Sequence, residues 1–247
     1  MPSTTAQFRF IDRELRRIEL MMRGVVHSYP LNPLPDELYE AMAGSMDVSQ
    51  TDTAESRLQA IYQDTLMKPS LCTFSYEGPF PVNAAYKIVR LTLTDEAIED
   101  TIDEIEGRLL ALQGLPFNET IDGRMELYRD NFVDDTKIDR FRLGVMEIYG
   151  DATYRNLLRD PRASLVMYWR DKKSNYTRSV QINAIAEIVE PGTPFYRYML
   201  VMRSLFSSRF LDMRREGYVA AYKLWVSEVH DKSLMPKTGF VPDSSNL

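Results

Sequence analysis

Cysteine and histidine are nearly missing from this chain: one Cys and two His in 247 residues. With Cys72 alone, no disulfide can close within the chain and no cysteine-based metal site can be assembled. His27 and His230 lie far apart in sequence without neighbours of matching chemistry, so neither reads as a general base, and no metal centre is expected. HExxH, a phosphate-cradling Walker loop and a serine-triad motif are also absent. No apolar run approaches the length of a membrane span, and the opening MPSTTAQFRFIDRELRR lacks the apolar core of a signal peptide. Basic residues are outnumbered, 30 Lys and Arg against 36 Asp and Glu, and the net charge of −6 is the wrong sign for general nucleic-acid binding. The expectation is a cytoplasmic protein that engages neither nucleic acid nor membrane. Asn118-Glu119-Thr120 and Asn175-Tyr176-Thr177 fit the glycosylation pattern, which is without meaning off the secretory route. So little reactive chemistry fits a protein that borrows it from a bound redox cofactor, and fits a non-enzyme equally well.

What is present is ordinary for a globular protein, 44% hydrophobic and 27% charged residues, enough for one large domain or a domain with a helical appendage. Phe8, Ile11, Leu15, Ile18 and Met22 recur at spacings of three and four, which predicts an amphipathic helix over 8–23 closed by Gly24. Prolines 30, 33 and 35 make a connector, and a second short helix is expected from Asp36 to Met46. A polar loop, DVSQTDTAES, leads to a third helix carrying Leu58, Ile61 and Leu66. Strands are expected from Leu71 to Tyr76 and, as one long run, from Pro81 to Leu93. Thr94 or Asp95 caps a helix reaching Leu112, with Ile98, Ile102, Ile105 and Leu109 inward and a solvated acidic face. Residues 117–138 read as an acidic connector, 194 onward as a helix with a Met and aromatic stripe, and Tyr218 to Val229 as the last strand.

The most legible stretch runs from Val145 to Val189. A strand ends at Gly150, and a short helix from about Ala152 to Arg159 stops at Pro161. Strands over Ala163–Trp169 and Ser179–Val189 then flank a polar turn with Ser174-Asn175. The segment Asn156-Leu157-Leu158-Arg159-Asp160-Pro161-Arg162-Ala163-Ser164-Leu165-Val166-Met167-Tyr168-Trp169 resembles the FMN-binding split barrels, the superfamily of pyridoxamine 5′-phosphate oxidase. Thr73, Gly78 and Pro81 fit the first hairpin of that family, with one extra residue in the turn.

The resemblance implies an α+β fold, an antiparallel split β-barrel with added helices at the N-terminus and between barrel strands two and three. Residues 1–68 would form a helical extension and 69–247 the barrel domain, with a helical insertion at about 95–138. It implies FMN as cofactor, a flavin-dependent oxidoreductase acting on a small molecule, and a homodimer with the flavin at the subunit boundary. Asn83, Ala84 and Ala85 would lie against the flavin ring, where small side chains allow close approach. The family's Ser-x-Lys phosphate pair falls on Asp151 and Thr153 here, so the phosphate would rely on the helix start at Thr153, Tyr154, Arg155 and Asn156, with Lys87, Arg90 and Arg155 as compensating charges. In that site Asp151 should turn to solvent or pair with a basic residue. The run Thr153-Tyr154-Arg155-Asn156-Leu157 is also similar to an archaeal flavoprotein subgroup with a Thr-x-x-Asn helix start. The oxidase's flavin-contacting glutamine falls on Ser179, with Gln181 two residues further along the same face, and its substrate residues find no match. Two other readings remain: a cofactor-free split barrel serving as a binding or assembly module, and a haem-binding split barrel, for which only His27 and His230 could be histidine ligands.

Overall fold

A computed structural model of the chain describes residues 6–45, 66–76, 79–112, 114–132, 134–171, 175–205 and 218–233. Seven strands make one sheet: β4 (Ser70–Phe74), β5 (Val82–Tyr86), β6 (Val89–Leu93), β7 (Ile138–Glu147), β8 (Arg162–Arg170), β9 (Thr177–Val189) and β10 (Ala220–Asp231). Their order is β5-β4-β8-β9-β10-β7-β6, with every neighbouring pair antiparallel. The two edge strands, β5 and β6, are consecutive in the chain and separated only by Lys87 and Ile88. Two intervening residues span at most roughly 10 Å, so the sheet must roll until its edges meet. The expected single strand over 81–93 is therefore two half-strands that serve opposite edges, and this closes the barrel while splitting it.

The barrel's inner face is apolar, with Leu71, Leu165, Ile182, Ala184, Val226, Leu224, Leu143 and Val145 all buried. One side of the barrel is covered outside as well. Helix α2 (Asp95–Leu110), capped by the Thr94 hydroxyl, packs against helix α5 (Pro194–Leu205), which lies over β7 and β10. Helix α3 (Phe117–Phe132) joins them, and buried Arg124 on it donates to the carbonyls of Ser204 and Leu205 at 2.8 and 3.3 Å. It occupies the segment read as a connector; its Ile121, Met125 and Tyr128 do recur at helical spacing, but among many polar residues. At one end, helix α4 (Ala152–Arg159) sits where expected and inserts Leu157 into the core.

The helix expected over 8–23 is a correction. The chain there forms a three-stranded meander, β1 (Gln7–Asp12), β2 (Arg17–Met22) and β3 (Val25–Pro30). Ile18, Leu20 and Met22 alternate inward and pack on Ile185 and Trp225 of the barrel. The breaks explain the outcome: Arg23 and Gly24 both have positive φ, 51° and 79°, as a tight hairpin turn between twisted strands requires. Asp12 accepts the Leu15 amide at 2.8 Å in the preceding turn, so Gly24 closes a hairpin and not a helix. The segment at 1–68 thus holds only one described helix, α1 (Asp36–Ser45), and its connector is tied to the barrel through Asn32 N to Val226 O, 2.9 Å, and Leu34 N to Arg140 O, 2.7 Å. The expected helix at Leu58 and Ile61 lies outside the described residues, as does the tail beyond 233; Leu66 is in a turn.

Candidate functional site

Among the described residues, the meander and helices α2 and α5 leave part of the barrel uncovered: the outer face of β5, β4, β8 and the Gln181–Asn183 part of β9. Cross-strand register aligns Ala84 with Cys72, Cys72 with Ser164, Ser164 with Asn183, and Asn183 with Glu228. Three of these are small, so the row forms a low shelf across neighbouring strands. At neighbouring strand separations of about 4.8 Å, the four positions from Ala84 to Asn183 span roughly 14 Å. Bulkier rows border it, with Val82 and Phe74 on one side and Tyr86, Val166 and Gln181 on the other. A depression of about 550 Å³ opens over the shelf, lined by Cys72, Ser164, Gln181, Asn183 and Glu228 and walled by Tyr29 of the meander.

The far end of the shelf is a hydrogen-bonded hub. Asn183 Oδ1 accepts from Ser164 Oγ at 2.8 Å and from Gln181 Nε2 at 2.9 Å. Its Nδ2 donates to Glu228 Oε2 at 2.7 Å and lies 3.4 Å from His230 Nε2, which is itself 3.2 Å from Glu228. The Asn183 bond, against the opposing pull of burial and with His230 helping, holds the Glu228 carboxyl below its ordinary value. Beside the depression, buried Asp160 accepts two bonds from the Arg162 guanidinium, 2.8 and 2.6 Å, and one from Tyr76, 2.9 Å. Burial raises the Asp160 pKa, and these donors outweigh it, so the carboxyl stays ionised lower than usual.

The sequence-predicted residues separate into two sets because neighbours on a strand face opposite ways. Asn83 points inward and donates to Thr153 Oγ1 at 3.1 Å; Asn156 donates to Thr73 Oγ1 at 3.0 Å. Thr153 and Asn156 are buried, so these bonds fasten α4 to β5 and β4. Ala85 faces inward with Leu71, and Tyr154 packs on the core. Ala84 faces outward on the shelf, and Gln181 is in the hub. Lys87 pairs at 2.5 Å with buried Glu147, which also accepts from Tyr222 and from the amides of Tyr149 and Gly150. Burial pushes the Glu147 carboxyl up, yet Lys87 and these donors bring it below its ordinary value. Lys87 therefore braces the turn that leads into α4. Asp151 at the α4 N-cap makes no side-chain capping bond, is 81% exposed in its side chain and lies 3.8 Å from Arg155, so it both turns to solvent and has a basic neighbour. Arg90 is buried on β6.

Ser164, Asn183, Glu228 and His230 do not stand out as a group in the sequence. The available signal is the alternation in β9, where Gln181 and Asn183 fall on one face of a strand whose other positions, Val180, Ile182 and Ala184, are apolar. Recognising Glu228 and His230 as their neighbours requires the β9–β10 register, whose bulge between Val226 and Glu228 is invisible in sequence. Among the described residues no three His, Cys, Asp or Glu side chains cluster as a metal site, and no helix is long and apolar enough to cross a membrane.

The barrel closed through Lys87 and Ile88, with helices outside and α4 at its end, is the antiparallel split-barrel arrangement that the resemblance at 156–169 implies. No protein-family model and no curated protein matches the sequence. Among solved structures it is similar to an FMN-binding protein of Syntrophomonas wolfei, 8% identical, with 81% of this chain and 89% of that one covered and a TM-score of 0.41. It is similar to HutZ, a haem storage protein of Vibrio cholerae, at 11% identity, 73% and 95% coverage and a TM-score of 0.39. A Listeria innocua protein provisionally described as a pyridoxamine 5′-phosphate oxidase matches at 12% identity, 72% and 97% coverage and a TM-score of 0.37.

Proposed function

We propose that this split barrel binds FMN on the outer face of β5, β4, β8 and β9 and acts as a flavin-dependent oxidoreductase on a small molecule. The observation that carries the reading is the Ala84–Cys72–Ser164–Asn183 row: small side chains that let a flat ring approach the sheet, ending in amides that can meet a polar ring edge. The residues at the other end fit a phosphate. Asn83 and Ala84 are consecutive on edge strand β5, the first bonded to the opening turn of α4 and the second on the shelf. A ligand wrapped over that edge would have its ring on the shelf and its phosphate at the α4 amides, beside Arg155, with Asp151 turned outward. Bound FMN would supply the electron-transfer chemistry that the side chains lack; the chain's part is to hold, orient and dry it.

A second copy would complete the site. Among the described residues Val82, Tyr86, Val166 and Tyr168 are exposed large side chains, two aliphatic and two aromatic, on strands of this same face, the kind of surface that marks an interface. The pairing buries them and covers the ring.

Titration of FMN fluorescence against the purified protein tests the reading, with quenching and a flavin visible spectrum expected for the complex. Ala84→Leu, on an exposed edge position, should weaken binding at least about tenfold by raising the shelf, and Arg155→Ala should weaken it severalfold, consistent with roughly 0.3–1 kcal/mol for charge near a helix start. A haem spectrum instead would replace the cofactor; the Glu228 carboxylate beside the shelf disfavours haem's carboxylates at that end. Uptake of neither would leave the binding-module reading standing.

A further inference from the structure

The hub has a direction that follows from the chemistry of its members. Ionised Glu228 can only accept hydrogen bonds, so the Asn183 atom 2.7 Å away must be its NH2 group. His230 does not alter this: its Nε2 can accept from Asn183 or donate to Glu228. With Nδ2 fixed, Asn183 Oδ1 must face Ser164 and Gln181, and as an acceptor it requires Gln181 to turn its own NH2 group inward, at 2.9 Å. The Gln181 carbonyl oxygen and its second N–H are then the atoms left for a ligand in the depression that this residue lines.

Resting on the proposed FMN reading, we infer that Glu228 is a positioning residue which, through Asn183, locks the Gln181 amide so that the site selects a planar heterocycle with adjacent C=O and N–H groups on its edge. Such a lactam or imide edge donates its N–H to the Gln181 oxygen and accepts the Gln181 N–H at its carbonyl. Glu228 lines the same depression, and in this role it acts through Asn183. Its contribution is to forbid the flipped arrangement, in which Gln181 would offer two donors and no acceptor.

The relay is read first without any ligand, from the side-chain amide resonances of protein labelled with nitrogen-15 in Asn and Gln. Glu228→Gln, whose own amide can donate or accept, should shift the NH2 signals of both Asn183 and Gln181. Unmoved Gln181 signals would overturn the relay. Selectivity is read second, by comparing FMN with its N3-methyl analogue, which keeps the carbonyls and loses the ring-edge N–H. The protein should prefer FMN about tenfold, the worth of one good hydrogen bond, and Glu228→Gln should lose that preference while retaining its circular dichroism. Asn183→Ala should cost the same, with Glu228→Gln adding little on top of it, because both cut one chain. Equal binding of FMN and the methyl analogue by the unaltered protein would sink the ligand assignment. If the protein binds no flavin at all, the functional reading fails, and the resonances alone then decide whether the relay exists.

Discussion

Lys87, one of the charges expected to compensate a phosphate, has a buried carboxylate as its partner in the fold. It lies beside the turn into α4, but its ammonium meets Glu147, whose side chain is 2% exposed, at 2.5 Å. Replacing it by Met leaves that carboxylate without its cation, and losing one partner of a buried pair costs about 3–5 kcal/mol. Tyr222 and two backbone amides still serve Glu147, so the lower end is expected in urea denaturation at neutral pH. The pH dependence has a definite sign. A carboxyl held below its ordinary value of 4.5 in the folded state stabilises the protein fully above that value, and the benefit is lost as pH falls through the depressed one. Lys87→Met should therefore flatten the acid side of the stability curve; an unchanged acid limb would mean that Lys87 does not set the Glu147 titration. The charge is visible in the sequence, whereas its commitment to a buried acid depends on closing the barrel. Thr153 and Asn156 are likewise legible as a pair at the helix start, but not their bonds to Asn83 and Thr73, which lie 70 and 83 residues away.

Elements are readable where one pattern dominates. The helix at 152–159 is bounded by Gly150 and Pro161, and α2 by a capping threonine and a clean isoleucine stripe. The meander escapes such a reading because Phe8, Ile11, Leu15, Ile18 and Met22 satisfy helical spacing by coincidence, while the strand alternation in β2 covers only Ile18, Leu20 and Met22. Packing of helix on sheet is hidden for another reason: it depends on a glycine whose need is tertiary. Gly144 in β7 lies where α5 crosses, and a Cβ there would collide with the Met199 sulfur and come within 2.6 Å of Thr92 Cγ2. Met199 can swing its end aside, but branched Thr92 is stiff. Gly144→Ala should cost about 1–3 kcal/mol by overpacking. Gly107→Ala is the matched control, because it sits in α2 with nothing within 4 Å of the added carbon and should instead stabilise by about 0.5–1 kcal/mol. Opposite signs in paired denaturation curves are expected; equal shifts would show that α5 does not press on β7 as described.

For the molecule as a whole, the distribution of cover is the informative quantity. Helix α5, backed by α2, shields β7 and β10, and the meander shields Ile185 and Trp225, so these surfaces need nothing further. Among the described residues, the outer face next to the shelf carries Val82 and Val166 at 56% and 44% exposure and Tyr86 at 82%. Hydrophobic burial is worth about 25 cal/mol per Å², so a second copy laid on this face gains from covering it, whereas a charge placed there must be desolvated without a partner. Val82→Glu combined with Val166→Glu should therefore convert the proposed dimer to a monomer in light scattering at micromolar concentration. Both side chains point away from the core, so the circular dichroism and the melting temperature of the barrel should change little. If the FMN ring lies under the partner, affinity for FMN should fall together with the dimer. Loss of the dimer with undiminished FMN binding would place the ring on one subunit alone. A protein that is already monomeric without these substitutions would remove the pairing, and this face would then belong to the ligand only.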